Sequence, residues 1–292
     1  MFKQANDELI SVLIPCYNYA DWVGQALESV LQQDYPFFEL IVINDGSQDN
    51  SLAVIEDTVH KAPRSTGVQR VEIVDQANAG VSAALNAGLA LARGSLVATF
   101  DSDDVMPQGR LALMADFMSK NPHIACVGGR TRRIDADGKL ENQFKKQRKV
   151  RTYDFSQVLR NALVIGGSVA MFRTAVARAT GGYDPAITVQ DFQMTLRLAH
   201  QGGLIAMIPE VVTLYRRHAG SLSMNFVHEY EQALAAIAPY RDHAAYPQAK
   251  ASLAIKAMRS AVYLDKAMAW ELMCSVPMRY WNRTFLNASD VY

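Results

Sequence analysis

Leu96-Val97-Ala98-Thr99-Phe100-Asp101-Ser102-Asp103-Asp104 is the most informative run in the chain. Five apolar or β-prone residues pass directly into three carboxylates within four positions, the pattern of a buried strand ending in an acidic tip. In an open α/β sheet, ligands bind just beyond the carboxyl ends of the strands. An extended tip puts Asp101 and Asp103 on one side and Asp104 on the other. Carboxylates this close repel one another unless a proton or a cation intervenes. An all-oxygen ligand set favours a hard ion, Mg2+ or Mn2+, with positions left open for phosphate oxygens. The competing reading is a helix N-terminus, where aspartates are ordinary and Pro107 stands near the start.

Upstream, the same alternation recurs. Leu9 to Ile14 reads as a first strand, followed by Pro15-Cys16-Tyr17-Asn18. Trp22, Val23, Ala26, Leu27, Val30 and Leu31 fall at helical spacing between Asp21 and Gln33, and Pro36 stops that helix. Leu40 to Asn44 is a second buried strand ending in Asp45-Gly46-Ser47. A helix through about residue 60, a strand at Val71 to Val74, and an alanine-rich helix after Gly80 lead to the acidic-tipped fourth strand. Strand and helix in repeated alternation predict a mostly parallel sheet with right-handed crossovers. Tyr17, Asn18, Asp45, Asp101 and Asp103 then share one edge, the geometry of a nucleotide site. No G-x-G-x-x-G follows a strand and no G-x-x-x-x-G-K-[ST] occurs, which argues against dinucleotide-binding dehydrogenases and P-loop NTPases.

Composition narrows the class further. The chain has 292 residues, half of them hydrophobic, and no net charge, so no global field draws it to nucleic acid. Three widely spaced cysteines, Cys16, Cys126 and Cys274, give neither a disulfide framework nor a zinc pattern. The first eight residues are polar and unlike a signal peptide, and no apolar run reaches the length of a membrane span. A cytoplasmic protein, soluble or peripheral at a membrane, is the expectation.

Downstream, a helix from Pro107 to Lys120 and a strand at Ile124 to Gly128 precede a basic segment. Arg130 to Arg151 holds nine Lys or Arg against three Asp or Glu and reads as a solvated loop, or as one that meets an anionic partner. Ser168 to Arg173 is a strand, and a short helix ends at Gly181-Gly182-Tyr183-Asp184. Gln190 to His200 is a helix with Asp191 in its first turn. Leu204 to Ile208 and Val211 to Tyr215 read as two strands separated by Pro209. From Phe226 the pattern is helical, with Leu253, Ala257, Ala261, Leu264, Met268 and Leu272 as one stripe. That stripe reads as packing against the sheet, with interfacial membrane contact or a homodimer seam as its functional readings. The division expected is a sheet domain over 1–225 and a helical extension over 226–292.

Taken together, Pro15-Cys16-Tyr17-Asn18, Asn44-Asp45-Gly46-Ser47 with Asp49, Asn78-Ala79-Gly80-Val81-Ser82 with Asn86, and Asp101-Ser102-Asp103-Asp104 resemble the family 2 glycosyltransferases. Gly181-Gly182-Tyr183-Asp184, Asp191, and Tyr215-Arg216-Arg217-His218 with Ser221 and Ser223 fit the same family in the same order. The resemblance covers roughly residues 9 to 223. It implies a GT-A fold, a nucleotide-diphosphate sugar donor, Mn2+ or Mg2+, and inversion at the anomeric carbon. By that resemblance Asp103 and His218 hold the metal, and Asp101 meets the ribose or shares the ion. Asp45 accepts from the uracil N–H, Pro15, Tyr17 and Asn18 flank the base, and Asn78 and Gly80 lie along the nucleotide. Arg216 or Arg217 approaches the diphosphate, and Gly182 and Tyr183 approach the acceptor. Asp191 is the general base, in a position where the family has Glu-Asp and this chain has Gln190-Asp191.

The function expected is transfer of a hexosyl or N-acetylhexosaminyl group from a UDP-sugar to a glycan or lipid-linked acceptor in surface polysaccharide synthesis. A nucleotidyltransferase would carry a glycine-rich basic loop after the first strand, and Pro15-Cys16-Tyr17-Asn18 is not one. A non-catalytic nucleotide-sugar-binding scaffold of the same fold is the other alternative. Retention of Asp45, Asp103, Asp191 and His218 together weighs against it.

Overall fold

The computed structural model describes residues 8–141, 149–218 and 226–281. Its centre is an eight-stranded sheet. The first half alternates strand and helix as expected: β1 (Ile10–Cys16), α1 (Val23–Leu31), β2 (Phe38–Asp45), α2 (Ser51–Lys61), β3 (Val68–Gln76), α3 (Val81–Leu91) and β4 (Leu96–Thr99). Then follow α4 (Arg110–Lys120), β5 (Ile124–Ile134), β6 (Arg151–Tyr153), α5 (Phe155–Asn161), β7 (Ala170–Arg173), α6 (Thr174–Ala179), α7 (Gln190–His200) and β8 (Leu204–Arg216). The last helices are α8 (Phe226–Ile237), α9 (Tyr246–Leu264) and α10 (Lys266–Ser275).

The strands lie in the order β3-β2-β1-β4-β7-β5-β8-β6. The first four are parallel, with Val12 opposite Leu40 on one side and Ala98 on the other. Every residue of β2 is buried, which is why its centre, Leu40 to Ile43, is continuously apolar rather than alternating. β7 runs antiparallel between β4 and β5, and β6 closes the far edge antiparallel to β8. Because β1, β2 and β4 point the same way, their carboxyl ends share one edge.

The structure changes three expectations at element scale. Leu204 to Arg216 is one strand, not two: Ile208, Pro209 and Glu210 oppose only Gly129 on β5, so the proline sits in a bulge where no ladder N–H is needed. The basic segment is partly strand, since β5 runs on through Arg130, Arg132 and Arg133 before turning at Asp135. Residues 142–148 of it lie outside the described residues. The C-terminal stripe is broken: Ala257, Ala261 and Leu272 are buried, but Leu264 is 70% exposed where α9 ends. Asp265 caps α10 there by accepting from the Met268 amide at 3.0 Å.

Helices α8 and α9 share a core with the sheet. Ala233, Ala236, Ile237, Ala249 and Leu253 belong to the same hydrophobic core as β1 and β4, while α9 and α10 share a second cluster around Met258 and Ala261. Among the described residues, no helix is long and apolar enough to cross a membrane.

Candidate active site

The tips of β1 and β2 are tied together by hydrogen bonds that fix an open rim. Asn18 takes a left-handed conformation, φ 58°, which asparagine tolerates better than most residues. Its amide donates to Ser47 Oγ at 3.0 Å, and its side-chain oxygen accepts from the Gln48 amide at 2.7 Å. Asp49 accepts from the Ala20 amide at 3.1 Å, so this carboxylate braces the loop. Asp45, at the end of β2, accepts from Gln76 Nε2 at 2.7 Å and from the Ala79 and Gly80 amides at 3.0 and 2.8 Å. Gly46 is required between them: at φ 70°, a Cβ would lie 2.6 Å from the Asn78 amide nitrogen.

Beyond β4 the acidic tip turns rather than remaining extended, with the Asp104 amide donating to the Asp101 carbonyl at 3.4 Å. The carboxylates still divide as expected. Asp101 and Asp103 line the cleft, while Asp104 is fully buried and accepts from the Arg216 amide at 2.9 Å. The helix-start alternative is not realised, because α4 begins only at Arg110 after a glycine at φ 79°. Oxygens of Asp101, Asp103 and Asp104 lie within 4.8 Å of one another, and Asp104 Oδ2 is buried with no hydrogen-bond partner among the described residues. Burial and the neighbouring carboxylates push Asp101 well above the usual carboxylate range, and burial followed by Asp103 pushes Asp104 up to about 7. An all-oxygen cluster strained by its own charge fits a hard divalent cation.

His218 stands against this cluster, its Nε2 3.0 Å from Asp103 Oδ2. Its ring stacks on Trp22 at 4.1 Å between centroids and meets the edge of Tyr19 at 5.7 Å. Helical spacing assigns Trp22 to an apolar stripe; the structure puts it at the start of α1, lining the cleft.

Asp191 enters from α7. Burial pushes its carboxyl up to about 6, against a lowering contribution from the Gly167 amide. Gly167 brings the two halves of the site together, since a Cβ there would lie 3.0 Å from Asp191 Oδ1 and 3.3 Å from Asp101 Oδ1. Thr99 Oγ1 donates to the Gly167 carbonyl at 2.6 Å. Below, the buried Arg110 guanidinium donates to the carbonyls of Ser168 and Thr99 at 2.7 and 3.1 Å, joining β4 to the segment before β7. No motif in the sequence points to Gly167 or Arg110, whose importance arises only where distant segments meet.

These residues line one cleft of about 1080 Å3. Pro15, Tyr17, Asn18, Asp45, Asn78, Gly80, Asp101, Asp103, Asp191 and His218 are all on its wall. Four predicted residues are not. Arg216 is buried, its guanidinium bonded to the carbonyls of Asp103 and Ala136 at 2.7 Å each, so its geometry is that of a brace behind the acidic tip. Arg217 is exposed outside the cleft lining. Tyr183 is buried, and Gly182 and Tyr183 are held through their backbone by Arg197 and Asn86. Ser221 and Ser223 lie outside the described residues. The sequence also missed the far wall, built by α8 and α9 with Phe226, Tyr230, Leu253 and Lys256.

The family model "Glycosyl transferase family 2" matches residues 11–181. Chondroitin synthase of Pasteurella multocida is 30% identical over 196 residues, 66% of this chain and 19% of that protein. Poly-beta-1,6-N-acetyl-D-glucosamine synthase of Staphylococcus epidermidis is 29% identical over 201 residues, 65% of this chain and 46% of that protein. The matched region thus spans about a fifth to a half of these synthases.

Among solved structures, S. aureus TarS 1-349 in complex with UDP-GlcNAc superimposes with a TM-score of 0.68 at 18% identity, covering 93% of this chain and 82% of that one. The mannosyltransferase PcManGT from Pyrobaculum calidifontis, in complex with GDP-Man and Mn2+, gives 0.61 at 20% identity, covering 97% and 86%. The fold is the GT-A type, an open and mostly parallel sheet with flanking helices. The chain belongs to glycosyl transferase family 2.

Proposed function

We propose that the chain is an inverting, metal-dependent glycosyltransferase. It moves a hexosyl or N-acetylhexosaminyl group from a UDP-sugar to a hydroxyl of a glycan or lipid-linked acceptor in surface polysaccharide synthesis. One observation carries this reading: Asp101 and Asp191, from opposite halves of the chain, converge on Gly167 within the cleft that also holds Asp45 and Asp103. The synthases it resembles make polysaccharides, and its structural neighbours were captured with UDP-GlcNAc and with GDP-Man and Mn2+.

In this mechanism Asp45 and the rim from Pro15 to Asn18 receive the base, with Asn78 and Gly80 alongside the nucleotide. Asp103, with Asp101 beside it and His218 behind, would hold a divalent ion that neutralises charge on the leaving diphosphate. Asp191 accepts the proton of the acceptor hydroxyl. The oxygen attacks the anomeric carbon from the face opposite the nucleotide, the bond to the diphosphate breaks, and UDP leaves. A single base suffices for inversion. A carboxyl with a pKa of about 6 is ionised at neutral pH yet basic enough to assist. Arg216 acts from behind the tip as a positioning residue rather than on the diphosphate.

We place the activity in the cytoplasm at the membrane's inner face, where exposed Tyr263, Leu264 and Trp270 offer a peripheral contact; a homodimer seam is the other use of these helices. Calorimetric titration of UDP and GDP, each with and without Mn2+, tests the donor assignment. Mn2+-dependent UDP binding is expected. Tighter GDP binding overturns the donor, and absence of binding by either nucleotide favours the scaffold reading.

A further inference from the structure

Beyond Asp191 the cleft continues along a helix that the transfer chemistry leaves unused. Leu253, Lys256, Ala257 and Ser260 of α9 line it there. A second cavity, of about 350 Å3, opens on the same helix and is lined by Lys256, Arg259, Ser260, Val262 and Tyr263. Lys256 and Ser260 belong to both walls, so the two cavities meet over one turn of α9. Between Leu253 and Tyr263 the helix advances about 15 Å.

The charged residues that α9 itself contributes to this path, Lys256 and Arg259, are both cations, while Glu229 of α8 lines the main cleft. The Lys256 ammonium donates to the Ala162 carbonyl at the end of α5, which leaves two further donors. Arg259 is exposed, and neither cation pairs with a carboxylate among the described residues. Tyr263, 78% exposed, supplies a flat apolar side to the second cavity.

We infer that the second cavity is an acceptor subsite for an anionic group, a carboxylate or a phosphate, carried further along the acceptor than the hydroxyl that meets Asp191. This deepens the transfer reaction proposed above and rests on it. Arg259 supplies a planar pair of donors suited to either anion, and Lys256 a point charge at the junction. The anion can belong to a sugar acid within a growing glycan or to the phosphate of a lipid-linked acceptor.

Equilibrium binding separates these sources. Three labelled probes are titrated against protein saturated with UDP and Mn2+: an oligosaccharide containing hexuronates, a neutral oligosaccharide of equal length, and a monosaccharide on a prenyl diphosphate. Arg259→Gln is expected to weaken at least one anionic probe about tenfold, Arg259→Glu more, and the neutral probe not at all. Lys256→Gln should act in the same direction. The probe that responds identifies the source, and a response by both assigns recognition to the anion itself. Equal affinities for wild type and Arg259→Glu with both anionic probes overturn the subsite, as does an equal loss for the neutral one. Failure of UDP to bind wild type instead removes the transfer reading, and the probes are then titrated without nucleotide to judge the subsite alone.

Discussion

Asp191 is where chemistry and stability pull against each other. Its native pKa of about 6 lies above the usual carboxylate value, so folding favours its protonated form. The stability this confers is complete below the unfolded pKa, near 4, and is lost as pH rises through about 6. Asp191→Asn should therefore match wild type in stability at pH 4 and exceed it by about 1–3 kcal/mol at pH 8, measured by denaturant unfolding without metal. The same variant should keep UDP affinity and lose about 10²–10⁴-fold in kcat; near-normal turnover excludes Asp191 as the base. In the wild-type enzyme, kcat/KM should rise with pH through about 6 on its acid limb. Asp103→Ala should remove the Mn2+-dependent part of UDP binding, and calorimetry that shows it intact rejects the metal assignment. Asp103 was legible because a cluster of carboxylates at a strand end stands out without knowledge of its partners, whereas Asp191, in the first turn of α7, was legible only through the family resemblance. Gly167 was not, since its role is to be absent where Asp101 and Asp191 approach.

At the scale of elements, buried arginines do what the strands alone cannot. Arg110 reaches from α4 to carbonyls of Thr99, Ser168 and Ala170, and to Thr213 Oγ1 on β8. It sits 5.1 Å from the Phe100 ring. Replacing it by methionine removes the guanidinium donors to the Thr99, Ser168 and Ala170 carbonyls, of which Ser168 keeps a side-chain donor in Thr213 Oγ1, and a loss of about 3–5 kcal/mol in unfolding free energy is expected. A loss under 1 kcal/mol would show that water replaces the guanidinium. Arg216 has a similar place behind Asp103, which explains why an arginine beside the predicted metal histidine does not reach the cleft. Its sequence context, Tyr215-Arg216-Arg217-His218, gives no direction to the side chain. Strand parity does: Arg216 turns inward and Arg217 outward.

Across the whole molecule, the C-terminal helices α8 and α9 share the sheet's core and line the cleft. Ala249 and Leu253 complete the sheet's core, and Phe226, Tyr230, Leu253 and Lys256 complete the cleft. A chain ending after residue 240 should lose cooperative unfolding and remain in the pellet after lysis. Soluble, cooperative folding of that truncation would make α9 and α10 a separable extension. Sequence periodicity located these helices but could not say what their apolar face covers, because a stripe reports burial and not the partner.

The sequence by itself determined the alternating strands and helices of the first half and the acidic tip after β4, and its resemblance to a known family singled out Asp45, Asp103, Asp191 and His218. Each is a local signal, carried by periodicity or by residues a few positions apart. Only the tertiary structure decided that Trp22 stacks on His218, that Gly167 lets two distant carboxylates converge, that Arg216 faces away from the cleft, and that α9 forms its far wall. Those facts depend on contacts between segments many residues apart, and packing, which selects among many locally acceptable arrangements, leaves no periodic mark in the chain.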